Sequence, residues 1–147
     1  MNYLSDDEFM TIQDNVRLLS IKGVDDISHY LFDSGIEEYN DFLNIANEFY
    51  DLNVSKTFLL LHNETNELLA YMTLSADSIR LTREEKEEHE MTVVPYSSSP
   101  ALKIGKLAVN KAVSDIAKRT GYGSFMLELA RAFAFDMNNM GVACRFL

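Results

Sequence analysis

Cys144 is the only cysteine in 147 residues, so no internal disulfide can form, which suits a reducing cytosol. Both prolines, Pro95 and Pro100, fall in one Ser-rich stretch, which reads as a loop. Bases are scarce: 13 Lys and Arg stand against 23 Asp and Glu, a formal charge of −10. A surface of that sign as a whole repels nucleic acid and anionic membrane. No apolar run approaches the roughly 18 residues of a membrane span. Met1 to Glu8 carries neither a basic nor an apolar signal region, so it does not read as a signal peptide. There is no internal repeat. What remains is ordinary globular usage, 47% hydrophobic and 24% charged, in a length that suits one domain with a real core. The expectation is a soluble, cytoplasmic, single-domain protein.

The few bases are unevenly placed. From Ala101 to Leu147 there are seven bases (Lys103, Lys106, Lys111, Lys118, Arg119, Arg131, Arg145) against three acids, a local charge of +4, which leaves −14 on residues 1–100. A basic third in an acidic chain points to a local anion site rather than a general polyanion surface.

Along the chain, Ser5-Asp6-Asp7-Glu8 has capping-box spacing and predicts a short helix. Val16–Ile21 reads as a strand and Asp25–Leu31 as a short helix. Ser34-Gly35-Ile36-Glu37 has the same capping spacing. The apolar residues Ile36, Tyr39, Phe42, Leu43, Ala46, Phe49 and Tyr50 then predict one amphipathic helix whose aromatic stripe is core. Thr57–Leu61 and Leu68–Leu74, separated by the polar turn 62–67, predict an antiparallel hairpin. Residues 82–100 read as a mobile excursion over a binding face. His89, between Glu88 and Glu90, belongs there to a solvated acidic face rather than to a metal site.

Leu102–Val109 reads as a strand with a phase fault. Leu102 and Ile104 alternate on one face; Leu107 and Val109 alternate one residue out of step. A β-bulge at Gly105-Lys106 restores the inward phase and turns backbone amides toward a ligand. Lys118-Arg119-Thr120-Gly121-Tyr122-Gly123-Ser124 then opens an apolar helix, Phe125–Met140, expected to be buried on most sides. Gly141 suits a C-cap, and Val142–Leu147 reads as a core strand with Cys144 as a small core residue.

A glycine-rich turn at a helix start presents orphan amides to a phosphate or pyrophosphate, with Lys118 and Arg119 adding charge. It is not a Walker A loop, because no Lys-Ser/Thr follows Gly123, and not a dinucleotide fingerprint, because Met126 stands where that pattern needs glycine. A tight turn needing glycine for packing alone is the bland alternative.

The constellation of Leu107-Ala108-Val109 ending a bulged strand, then Lys118-x-x-Gly121-x-Gly123 opening a helix, resembles motif A of the GNAT superfamily of acetyl-CoA-dependent N-acetyltransferases. Lys118 stands where Gln or Arg is usual, and Asn110–Ala117 is longer than the usual loop. Upstream, Phe32-Asp33-Ser34-Gly35, Ser55-Lys56-Thr57-Phe58 and Tyr71-Met72-Thr73-Leu74-Ser75-Ala76 resemble the GNAT branch that includes acetylating toxins of bacterial toxin–antitoxin pairs, with Ser34 replacing a usual cysteine. The resemblance implies an α+β fold: a mixed, mostly antiparallel sheet flanked by helices, with the bulged strand and the Gly-rich turn serving CoA. It implies that backbone groups of Leu107 and Val109 pair with the pantetheine arm, and that Lys118, Arg119, Thr120, Gly121, Tyr122, Gly123 and Ser124 hold the pyrophosphate of acetyl-CoA, with no metal. Residues 1–15 read as an N-terminal extension. The family's later helix and strands are missing from the sequence, so a truncated domain, with self-association through the C-terminal strand, is expected. No catalytic residue is assigned.

The reaction implied is acetyl transfer to a primary amine, and the acidic charge favours a small-molecule or protein amine over nucleic acid. The alternatives are an aminoacyl-tRNA-acetylating toxin, a CoA-binding module without turnover, and an interaction domain whose glycines only make a turn.

Overall fold

Among the described residues, four antiparallel strands, neighbours in the order they follow along the chain, form one sheet with helices on both faces. The computed structural model describes residues 3–147. The elements are α1 Asp6–Gln13, β1 Val16–Ser20, α2 Glu37–Phe42, α3 Ala46–Asp51, β2 Lys56–His62, β3 Leu68–Arg80, α4 Arg83–Glu88, β4 Ser98–Val109 and α5 Tyr122–Asn139. This is the expected α+β architecture.

The alternation of side chains across the strands feeds two cores. On one face Leu60, Ala70, Met72, Leu74 and Leu102 meet Tyr122, Phe125, Met126 and Ala130 of α5. On the other, Leu59, Leu61, Tyr71 and Ala108 meet Phe42, Leu43 and Ala46 of α2, α3 and the turn between them. Leu4, Phe9 and Ile12 pack into the first of these cores. The α1 capping box forms as its spacing predicts, Ile12 is fully buried, and Phe9 packs at a tilt against Phe125 with centroids 4.8 Å apart.

Several expectations need correction. The helix after Ile36 is two helices: Asn44 and Ile45 donate three residues back, to Asp41 and Phe42, and this tighter turn lets Phe42 and Phe49 meet edge-on at 5.3 Å. Ser34 does not cap it. The N-cap is Ile36, while the Ser34 hydroxyl turns inward to the Ile36 carbonyl and to Asn40. The segment 25–31 holds only a single 3-10 turn, Ile27–His29.

Residues 82–100 are organised rather than a loose excursion. Thr82 and Glu85 form a full capping box for α4, and the Lys86 ammonium donates to the carbonyls of Val94 and Tyr96 at 3.0 and 3.3 Å. The β3–β4 hairpin then reaches out to Arg80 and Ser98. His89 stays exposed, its ring edge-on to Phe146.

Helix α5 begins at Tyr122 and is amphipathic: its first turns are buried, but Phe135 and, just past its end, Met140 are 67% and 81% exposed. Gly141 does end it, in the left-handed region (φ 96°). Val142–Leu147 is not a core strand. Asn138 binds both the amide and the carbonyl of Cys144, which ties the tail to the helix end. One parallel bridge, Ala101 to Phe146, is its contact with the sheet. Self-association through a C-terminal strand therefore loses its strand. Cys144 is buried in the core, as expected of a small apolar residue.

Candidate functional site

The phase fault in β4 is a bulge at the expected place. Met72 pairs with Leu107 and Leu74 with Ile104, so Thr73 alone faces Gly105 and Lys106. Leu102, Ile104, Leu107 and Val109 thereby all reach the α5 core. The bulge does not, however, aim every amide outward: the Lys106 N–H points back to β3 and donates to the Thr73 hydroxyl at 2.9 Å. Four residues on, the Asn110 N–H donates inward to the Leu69 carbonyl at 2.8 Å. The alternation between those two fixed points turns the Leu107 and Val109 amides to the outer edge, and β4 is the edge strand.

The glycine turn lies at the same end of the sheet. Glu67 immediately precedes β3, whose start pairs with the end of β4. Its carboxylate accepts from the amide and hydroxyl of Ser114 at 2.8 and 2.7 Å, stitching the 110–120 segment to that end. The Ser114 hydroxyl, then Thr65 and the Ser114 amide, hold the Glu67 carboxyl below its ordinary pKa. The Tyr122 hydroxyl donates to the Ala117 carbonyl and anchors the start of α5 to the same segment. Burial pushes the Tyr122 phenol up, so the ring is a core anchor and only its main chain can face a ligand.

Gly121 is the N-cap of α5, at φ 102°, a conformation that favours glycine. A Cβ there would also lie 3.1 Å from Leu4 Cδ2 and 3.4 Å from Ile12 Cδ1, so α1 seats directly on the turn. Gly123 follows Tyr122 in the first helical turn, where a main-chain amide has no acceptor inside the helix, and Ser124 comes next. Lys118, Arg119 and Thr120 are exposed beside it. An outward strand edge and a cationic helix start at one end of a sheet suit an extended ligand ending in phosphates.

A second feature lies on the opposite face, against the bulge. A cleft of about 320 Å³ is lined by Phe42, Phe49, Thr73, Ser75, Lys103 and Lys106, among others. It adjoins a cleft of about 760 Å³ that shares Phe42, Phe49 and Lys106 and carries Glu37, Glu38 and Asp41. The Lys106 ammonium sits 3.7 Å from Glu38 and 5.2 Å from the Phe42 ring centroid. Sequence reasoning missed this cleft. Its aromatics were legible as a helix stripe, but nothing local signals that the stripe meets the bulge.

Asn110 was also missed. It is 4% exposed, and its side chain donates to the carbonyls of Leu31 and Leu68 and accepts from the amides of Asp33 and Ala112. It thus fastens the Asp33 loop to the end of β4. In that loop the Gly35 amide, then Asn40, holds the Asp33 carboxyl below its ordinary pKa. Among the described residues no group of three or more His, Cys, Asp or Glu could hold a metal ion, and no helix is long and apolar enough to cross a membrane.

Neither a protein-family profile nor a curated protein sequence matches the chain. Solved structures do. AtaT complexed with acetyl-methionyl-tRNAfMet aligns with a TM-score of 0.65 at 20% identity, over 87% of this chain and 74% of that one. A tyrosine-to-phenylalanine mutant of KacT aligns with a TM-score of 0.63 at 23% identity, again over 87% and 74%. AtaTR bound with AcCoA aligns with a TM-score of 0.59 at 20% identity, over 88% and 74%. At these identities the likeness speaks to architecture: the chain has the GNAT fold, in the form seen in the toxin acetyltransferases AtaT and KacT. The reading that sets nucleic acid aside on charge meets an opposing finding here, since one protein of this fold is complexed with an acylated tRNA.

Proposed function

We propose that the protein is an acetyl-CoA-dependent N-acetyltransferase. The observation that carries the reading is the bulged edge strand beside a glycine-opened, cationic helix start. In this reading the outward backbone of Leu107 and Val109 pairs with the pantetheine arm. Lys118, Arg119, Thr120, Gly121, Tyr122, Gly123 and Ser124 cradle the pyrophosphate, Tyr122 through its main chain. Supporting it, a structure of the same fold is bound with AcCoA.

The acceptor amine enters from the Phe42–Phe49–Lys106 cleft, on the other side of the bulge from the α5 core. A neutral amine attacks the thioester carbonyl and an oxyanion forms; as it collapses the C–S bond breaks, the nitrogen loses one proton to give the amide, and the departing CoA thiolate takes up one proton to leave as the free thiol. The developing oxyanion needs a fixed donor, and the outward Leu107 amide at the bulge meets that need. Lys103 and Lys106 at the bulge disfavour an ammonium beside them, while Glu37, Glu38 and Asp41 in the adjoining cleft attract one on its way in. No side chain is assigned as general base or acid.

The acceptor is a small-molecule or protein amine, since an acidic surface binds a polyphosphate poorly. A second reading, an aminoacyl-tRNA-acetylating toxin, is favoured by one observation, the fold shared with AtaT complexed with acetyl-methionyl-tRNAfMet. A CoA-release assay with small amines, peptides and aminoacyl-tRNA as acceptors separates them. Turnover with the first two and none with charged tRNA supports the primary reading, and turnover confined to charged tRNA replaces it with the second. Acetyl-CoA binding without turnover on any acceptor would leave a CoA-binding module.

A further inference from the structure

We infer that Thr73 is the positioning residue that sets the bulge and, through it, the direction of the Leu107 amide. This rests on the acetyltransferase reading for its kinetic consequence, but the geometry stands without it. At a bulge two residues face one, and the ladder cannot serve both in the ordinary way. Here a side chain takes part: the Thr73 hydroxyl accepts the Lys106 amide at 2.9 Å. The fit is mutual. A Cβ on Gly105 would lie 2.9 Å from the Thr73 hydroxyl oxygen, so the hydroxyl occupies the space that a side chain at 105 would need. Thr73 is 4% exposed and lines the cleft assigned to the acceptor, so water is a poor substitute for its hydroxyl.

The consequence runs along β4. With the Lys106 amide held inward, the next amide, that of Leu107, turns to the free edge. Without the hydroxyl, the Lys106 amide loses this partner at the bulge, and a ladder that closes by slipping one residue sends the Leu107 amide inward. Thr57 supplies a matched control. It pairs with Thr73 across β2 and β3, is fully buried, and its hydroxyl finds no hydrogen-bond partner among the described residues.

The test uses Thr73→Val, Thr73→Ser and Thr57→Val in the full chain, assayed well below each variant's Tm. Thr73→Val keeps the shape and loses the acceptor. Its kcat should fall about 10–100-fold, short of or reaching the loss of a whole oxyanion donor, because the Leu107 amide is misdirected rather than removed. Thr73→Ser should stay within about threefold of the parent, and so should Thr57→Val. A folded Thr73→Val with parental kcat would overturn the inference. Amide hydrogen exchange provides a second arm that needs no activity. The Lys106 amide should be protected in the parent and exchange about tenfold or more faster in Thr73→Val, with no change in Thr57→Val. Equal Lys106 exchange in parent and Thr73→Val overturns the inference as well. If the parent acetylates no amine at all, the acetyltransferase reading fails while the exchange arm still decides the role of Thr73.

Discussion

Asn110→Ala should be among the most damaging polar truncations in this chain. The side chain makes four hydrogen bonds to three separate segments: to the Leu31 and Leu68 carbonyls at 2.8 and 2.7 Å, and from the Asp33 and Ala112 amides at 3.0 and 2.9 Å. The bond to Leu68 is buried, out of reach of replacement by water, and its loss should cost about 1–3 kcal/mol. The other three partners are partly buried, and water recovers part of each loss. The total should be about 3 kcal/mol, within a range of roughly 2–5. For a domain of this size that is a Tm lower by about 6–12 °C. Urea unfolding with an unchanged slope is the assay, since a changed slope would signal a different unfolded or native compactness. Asn110→Asp should be at least as harmful, because it keeps an acceptor for the amides but sets a carboxylate against two carbonyls. A cost below about 1 kcal/mol for Asn110→Ala would refute the view that this residue fastens the Asp33 loop to β4.

Three further outcomes follow from the same geometry. Gly105→Ala should cost about 1–3 kcal/mol by equilibrium unfolding, because its Cβ meets the Thr73 hydroxyl oxygen at 2.9 Å. Glu67 has a folded pKa held below its ordinary 4.5 by Ser114, so its contribution is present above that value and is lost as pH falls through the folded value. The urea midpoint should therefore drop more steeply with acid below about pH 4.5 in the parent than in Ser114→Ala, and identical profiles would contradict this. Met126→Ala, at a fully buried position, should cost about 2–5 kcal/mol, whereas Phe135→Ser, on the exposed side of α5, should change stability by less than about 0.5 kcal/mol.

The legible parts of the sequence were those where a local pattern has one physical outcome. The β4 bulge could be placed to the residue, because side chains alternate strictly and a slip of one must be absorbed somewhere, with Gly105 as the place. The α1 box was legible for the same reason; the Thr82–Glu85 box carried an equal signal but was hidden inside a charge run that reads as solvated loop. Ser34 had the spacing of a cap and is not one, because its hydroxyl finds Asn40 and a carbonyl in the buried loop first. The tail had strand composition, but Asn138 captures it at Cys144 before the sheet can. Thr73 and Asn110 left no mark in the sequence: each acts by a bond to a residue far along the chain, and neither pattern nor propensity encodes that. Of the residues proposed for the cofactor, the strand edge and the glycine turn were legible as motifs, while the cleft across the bulge depends on how α2 and α3 pack.

Calorimetric titration of the full chain with acetyl-CoA, beside the Gly123→Asp variant, tests the central claim most directly. The account predicts one saturable binding event in the parent, with stabilisation of about 2.7 kcal/mol at 100 times the dissociation constant, and loss of both in the variant, whose carboxylate would sit beside phosphate. No heat of binding and an unchanged Tm in saturating acetyl-CoA would contradict it.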